Sequence, residues 1–271
     1  MSFTETFASA FLILLIVALV ISAVGFYKYV YFISLGYGFS IAGLGVTMLI
    51  VFRDNLNIIT VIACVLFIIY GCRLGGYLLI REIKSASYRN TMKKEINDGS
   101  GMKLVAKLAI WISCSLLYVL QVSPVFFRLQ NDGIADGFAY TGIVIMICGV
   151  VLESLADIQK SEAKKKNPKR FCDSGLYKLV RCPNYLGEIL VWTGVLVTGI
   201  GTLSGGWQWA TAIIGWECIV YIMFGGARRL EIRQNRNYGA DKEYQTYVKK
   251  TPILIPFVPL YSVEKYKWLL G

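Results

Sequence analysis

The sequence contains no histidine. That absence removes His-activated nucleophiles, haem with a His ligand and the usual zinc sites. Charge is scarce as well: Asp, Glu, Lys and Arg together make up 17% of 271 residues. The longest polar segments run to roughly 20–30 residues, too short to bury a core of their own, so no soluble domain is expected. The seven cysteines, at 64, 72, 114, 148, 172, 182 and 218, form no CxxC pair and fall mostly within apolar runs. They read as small buried hydrophobes, and no metal site is expected. Nor is there an internal repeat or a low-complexity segment.

What the chain has in quantity is apolar length: 56% of its residues are hydrophobic, which points to the membrane class. Runs near 7–27, 30–52, 56–80, 104–126, 137–155, 187–205 and 207–225 approach the roughly 20 residues that cross a bilayer. The expected fold is therefore all-α, a polytopic membrane protein with about seven transmembrane helices and cytoplasmic amphipathic segments, forming one integral membrane domain over 1–271. The first run has no basic n-region and is longer than a signal h-region, so it is read as a retained helix.

The net charge of +11 is concentrated in alternate connections. The 81–103 loop carries Arg81, Lys84, Arg89, Lys93, Lys94 and Lys103; the 156–186 segment and the tail after 227 carry most of the rest, whereas the other side has only Arg53 and Arg128. The positive-inside rule then puts the tail in the cytoplasm and the N-terminus outside. Topology and attraction to anionic lipid account for this charge. No nucleic-acid partner is expected, and an anionic ligand has to be argued from particular residues. GIGTLSG at 199–205 is no dinucleotide fingerprint, because its spacing is GxGxxxG and it follows a membrane span instead of a strand. It reads as a turn or a helix contact, and Gly36, Gly38, Gly43 and Gly45 likewise read as close helix contacts.

Three polar stretches stand out against this background. The first is KLVRCPNYLGEIL at 178–190. Pro183 suits the first turn of a helix. A helix starting there puts Asn184 and Glu188 on one face, with Arg181 just before the start. Free N–H groups at that start, together with Arg181, can hold a phosphate; Asn184 offers donor and acceptor, and Glu188 can accept. The second stretch places Glu153, Asp157, Lys160 or Ser161, and Lys164 at steps of three and four along one helix face. Charged groups inside a span tend to face a cavity, and Glu217 raises the same question. The third is RRLEIRQNRNYGADKEYQTYVKK at 228–250, with Arg229, Arg233 and Arg236 at helical spacing and Tyr244 and Tyr247 on one face of a short helix ended by Pro252. This is either an amphipathic helix on the membrane surface or a lid over a ring and its phosphates.

ADIQ at 156–159, DSGLYKLVRCPNYLGEIL at 173–190 and the 228–250 stretch together resemble the C-terminal half of the steroid 5α-reductase-like membrane proteins; GCRLGGYLLIR at 71–81 is similar to an upstream element of the uncharacterised bacterial branch. The resemblance implies an all-helical protein that binds NADPH on the cytoplasmic side and reduces a carbon–carbon double bond conjugated to a ketone in a hydrophobic substrate. It implies cofactor contacts from Asp157, Lys164, Arg181, Asn184, Tyr185, Glu188, Arg233, Tyr244 and Tyr247. On this reading, spans in 1–103 form the substrate side and 104–271 the cofactor side. Two positions depart from the pattern: Cys182 stands where many relatives have His, and the N-terminal Glu and Tyr that hold the steroid ketone have no counterpart. Isoprenylcysteine and phospholipid methyltransferases, which use S-adenosylmethionine, are similar in the same C-terminal region. A non-catalytic membrane protein with a degenerate nucleotide site is a third reading. Enone reduction needs a donor at the carbonyl oxygen, and without His the candidates are Tyr70, Arg73 and Tyr77 in the third span.

Overall fold

A computed structural model describes residues 3–84 and 101–269, with side chains from Ser9 onward. Arg89, Lys93 and Lys94 of the basic loop lie outside the described residues. Among the described residues, every regular element is helical: α1 Phe3–Ser22, α2 Leu35–Val51, α3 Ile58–Lys84, α4 Leu104–Gln130, α5 Gly137–Lys166, α6 Pro183–Gly199, α7 Gly205–Tyr238 and α8 Lys242–Lys250, with short 3₁₀ turns at 23–26, 29–31 and 175–178. Six helical stretches are long and apolar enough to cross a membrane: Ser9–Phe26, Tyr29–Val51, Ile58–Lys84, Leu104–Gln130, Gly137–Lys166 and Gly205–Tyr238. These six make the protein a multi-pass membrane protein.

The run expected at 187–205 is placed differently. Its helix, α6, starts at Pro183 and stops at Gly199, so the polar box forms its first two turns instead of lying at its mouth. At 17 residues it spans about 25 Å, the low end of what a hydrocarbon core requires. GIGTLSG is then the turn that joins it to α7, closed by Thr202 N–H donating to the Gly199 carbonyl at 2.9 Å and by Gly205 at φ +70°.

The chain forms two compact units, residues 1–143 with 195–215, and residues 144–194 with 216–271. In the first unit, lipid tails are as apolar as leucine, so close backbone approach and van der Waals fit hold the helices together. Gly38 of α2 and Gly71 of α3 supply that fit: a Cβ at Gly71 would lie 2.3 Å from the Gly38 carbonyl oxygen. Around this contact Phe32, Ile41, Leu44, Phe67 and Tyr70 are fully buried. Some polar side chains pair within the unit, as where the Ser22 and Ser115 hydroxyls meet at 2.8 Å, whereas the buried Gln121 amide makes no hydrogen bond. Arg128, fully buried, donates to the Thr198 carbonyl at 2.7 Å, to the Ile134 carbonyl at 2.5 Å and to Asp136 at 2.8 Å. It tethers the end of α4 to the neighbouring turns, a role its count as a loop charge did not reveal.

The second unit packs its part of α5 on its part of α6 through another pair of glycines. A Cβ on Gly149 would sit 2.6 Å from the Val191 nitrogen, and one on Gly187 would sit 2.7 Å from the Glu153 nitrogen. Only glycine permits this crossing. It brings Glu153 beside the PNYLGE box, and both Glu153 and Glu188 are buried. The cysteines are free; Cys64, Cys172 and Cys182 are buried as expected, but Cys72 and Cys148 face outward from spanning helices.

Candidate functional site

All nine residues read as cofactor contacts belong to the second unit. The chain enters α6 through an extended stretch whose backbone is already committed. Arg181 N–H donates to the Pro252 carbonyl at 2.9 Å and Cys182 N–H to the Ile253 carbonyl at 3.0 Å. Pro183 then begins the helix, where its missing N–H costs nothing.

Arg181 is buried, at 1% exposure. Its Nη2 donates to Glu231 Oε1 at 2.7 Å and to the Tyr261 carbonyl at 2.5 Å. Glu231, equally buried, uses its other oxygen to accept from Val263 N–H at 2.8 Å and Glu264 N–H at 3.0 Å. Nη2 is thus engaged, while Nε and Nη1 make no further hydrogen bond, with the Tyr244 hydroxyl near enough to interact with the guanidinium. Three residues on, the buried Oδ1 of Asn184 is also without one. Glu188, one turn further, accepts a long 3.3 Å hydrogen bond from Trp192 Nε1. Tyr185 turns its ring toward Gly226 and the cluster of Cys182, Ala227 and Leu230. Burial pushes the Cys182 thiol up to about 12, so it is a neutral apolar group at the position where His was expected.

Tyr244 and Tyr247 do share a face of α8, and both pack on Phe171, the first edge-on at 5.2 Å and the second stacked at 5.4 Å. Their hydroxyls are occupied by protein: Tyr244 donates to Asn235 Oδ1 at 2.7 Å, and Tyr247 to the Tyr177 carbonyl at 2.7 Å. Burial, the largest cause for each, raises Tyr244 to about 12 and Tyr247 further. Both hydroxyls therefore keep their protons near neutral pH and donate them to these protein acceptors. Lys164 closes the end of α5 by donating to the Pro168 and Arg170 carbonyls at 3.2 and 2.6 Å and to the Tyr238 hydroxyl at 2.8 Å. Asp157 is half-buried, near enough to Tyr177 to add to the rise that burial causes in that hydroxyl's pKa. Arg233 is exposed on α7. The structure therefore gathers Arg181, Asn184, Tyr185 and Glu188 at the start of α6, and ties Lys164, Tyr244 and Tyr247 into the cover formed by Phe171 and α8.

A family model matches residues 13–251, described as a protein of unknown function, DUF1295. The chain belongs to the DUF1295 family. No curated protein and no solved structure matches it. The DUF1295 match takes in α6, α7 and α8, and ends just before residues 252–269.

The catalytic candidates of this DUF1295 protein lie in the first unit, along α3. Tyr70, Arg73 and Tyr77 follow at steps of three and four, on one face. Tyr70 is fully buried with its hydroxyl 3.1 Å from that of Tyr37. Tyr77 lies under the Arg81 guanidinium at 5.4 Å, and Arg73 is half-buried. Two partners went unread in the sequence, Glu231 and Phe171. Glu231 had a signal: Ala227, Glu231, Asn235 and Tyr238 form a stripe at steps of three and four, opposite the arginine stripe. Phe171 had none, being an isolated aromatic in a loop.

Proposed function

We propose that the protein is an NADPH-dependent membrane reductase of a carbon–carbon double bond conjugated to a ketone, acting on a hydrophobic, lipid- or steroid-like substrate, with its C-terminus and cofactor site on the cytoplasmic side. The resemblance of the 156–159, 173–190 and 228–250 stretches to steroid 5α-reductase-like proteins supplies the reaction class. One observation carries the assignment of the site: the partnerless Nε and Nη1 of buried Arg181 and the partnerless Oδ1 of Asn184, at the start of α6. Buried donors and acceptors normally find partners, and an orphan costs about 1–3 kcal/mol. Groups left open in this way suit a polar ligand rich in acceptors and amide donors, and a nicotinamide dinucleotide is one.

NADPH, when bound, supplies the hydride for the β-carbon. Within this reading Arg181, held at Nη2 by Glu231 and Tyr261, offers its Nε and Nη1 hydrogens to phosphate or carbonyl oxygens with little further loss of side-chain entropy. Asn184 Oδ1 accepts from an amide, and Glu188 accepts from an amide or hydroxyl. Asp157, Tyr185 and Arg233 are the further contacts that the resemblance implies, whereas Lys164, Tyr244 and Tyr247 are held by hydrogen bonds to protein groups. A donor at the ketone oxygen would offset the negative charge that develops there, and Tyr70, Arg73 and Tyr77 are the candidates.

The test is a ligand titration on the full-length protein in detergent, using NADPH, NADH and S-adenosylmethionine. NADPH should bind more tightly than NADH, since surplus Lys and Arg meet its extra phosphate, and salt should weaken it. Asn184→Ala and Glu188→Gln should each lower NADPH affinity by about 1–3 kcal/mol, with the ligand-free melting temperature little changed. NADPH oxidation should then follow on addition of one or more of a panel of enones. Binding of S-adenosylmethionine alone would move the assignment to a methyltransferase, and binding of none would make the protein non-catalytic.

A further inference from the structure

Residues 252–269 have two faces. On the inner face Ile253, Leu254, Val263 and Leu269 are buried against Cys182, Ala227 and Leu230. Backbone groups fasten the segment further: Val263 and Glu264 N–H donate to Glu231, the Glu264 carbonyl accepts from Arg228 Nε at 3.0 Å, and the Trp268 carbonyl accepts from the Tyr221 hydroxyl at 2.6 Å. The outer face is largely apolar, with Trp268 stacked on Tyr221 at 6.1 Å. Phe257 is 95% exposed, with Ile255, Val258, Tyr261 and Trp268 also exposed around it.

This exposure is built into the backbone. Ile253 N–H donates to the Leu260 carbonyl and Leu260 N–H to the Val258 carbonyl, closing a loop over 253–260. Pro256 and Pro259 stiffen it. Phe257, at its tip, has φ +64°, a left-handed conformation that a phenylalanine adopts only at a cost. The fold thus holds a large aromatic side chain away from the protein.

We propose that residues 252–269 form an interfacial strap, with Phe257 and its apolar neighbours inserted into the headgroup boundary of the bilayer that the spanning helices cross. Depth is the first argument. The apolar run of α7 beginning at Trp207 uses about 20 residues to cross, reaching the vicinity of Gly226. The strap is fastened to Tyr221, Arg228 and Leu230, at that rim. Composition is the second. Tyr261, Tyr266 and Trp268 are the residue types that populate membrane–water boundaries. Charge is the third: Lys249, Lys250, Lys265 and Lys267 are exposed and flank the loop, while the one acid of the strap, Glu264, is engaged by Asn235 Nδ2 at 2.6 Å. Such a surface fits anionic headgroups, with rings below them and ammonium groups among them.

Photo-crosslinking decides the matter. Phe257→p-benzoylphenylalanine is introduced into the full chain, which is reconstituted into nanodiscs of phosphatidylglycerol and phosphatidylcholine, irradiated and examined by mass spectrometry. Asn237→p-benzoylphenylalanine is the control: it is exposed, and lies about 14 Å further along α7 than Arg228. The strap predicts lipid adducts at 257 several-fold above those at 237. Equal yields at the two positions would overturn the proposal, as would a covalent dimer in place of lipid adducts at 257, which would make the surface a contact between copies of the chain. The outcome does not depend on any activity of the protein.

Discussion

Replacing Glu231 by alanine should be among the most damaging single changes in the second unit. The substitution leaves Arg181, at 1% exposure, without its counter-ion, and strips the Val263 and Glu264 N–H groups of their acceptor. Removing one partner of a buried pair costs about 3–5 kcal/mol, because the remaining charge stays desolvated. For a chain of this size that is a fall in melting temperature of roughly 10 °C. Arg181→Met should cost less, since Glu231 keeps two N–H donors on one oxygen. The double variant Arg181→Met/Glu231→Leu should recover most of the loss, as well-packed apolar pairs often match the ion pairs they replace. On the proposed reading it should nonetheless fail to bind NADPH, because the Nε and Nη1 donors of Arg181 are gone. Melting followed by intrinsic fluorescence, with all variants in one detergent, measures the stabilities, and a titration measures the binding. A Glu231→Ala protein melting within a degree or two of the parent would refute the energetic argument. A stable double variant that binds NADPH normally would remove Arg181 from the site.

Three further outcomes follow from the packing. Gly187→Ala should destabilise by about 1–3 kcal/mol, since its Cβ would press on the Glu153 backbone at 2.7 Å; Gly76→Ala in α3, with nothing within 4 Å, should be neutral or slightly stabilising by the same melting assay. Burial opposes the charge of Asp136, but hydrogen bonds from Arg128 and the Ala139 N–H outweigh it and hold the carboxyl below its ordinary value. A lowered folded pKa contributes stability above the unfolded value and loses it as pH falls through the folded one, so the parent should show an acid loss of melting temperature beginning below about pH 4 that Asp136→Asn lacks. Cys182, raised to about 12 mainly by burial, should resist N-ethylmaleimide in the folded protein at neutral pH and react only after unfolding, as read by mass spectrometry.

Helix content was legible because apolar runs of bilayer length leave the backbone few alternatives to internal hydrogen bonding. The start of α6 was legible too, from Pro183 alone. The end of that helix was not, because a run of apolar residues continues past Gly199 and only the turn geometry stops it. The face shared by Tyr244 and Tyr247 followed from their spacing, yet their hydroxyl partners, Asn235 and the Tyr177 carbonyl, depend on contacts that spacing does not encode. The two glycine crossings had a signal in the first unit, where Gly36, Gly38, Gly43 and Gly45 recur, and almost none at Gly149 and Gly187, which are isolated in sequence. Arg181 and Glu231, fifty positions apart, are joined by folding alone.

Two buried arginines in this chain differ in how their donors are used, and the proposed function draws on that difference. Arg128 directs Nε, Nη1 and Nη2 to a carbonyl, a second carbonyl and a carboxylate, all within hydrogen-bond distance. That is how a guanidinium taken out of water is satisfied when its task is to hold a fold. Arg181 is as deeply buried and also has a carboxylate, but it places both of its protein acceptors on Nη2 and leaves Nε and Nη1 open. A purely structural arginine would gain stability by engaging Nε and Nη1 as well, as Arg128 does. On the proposed reading, the fixed Nη2 instead pre-organises Nε and Nη1, in the box that also carries the open Oδ1 of Asn184, as a binding group requires and a brace does not.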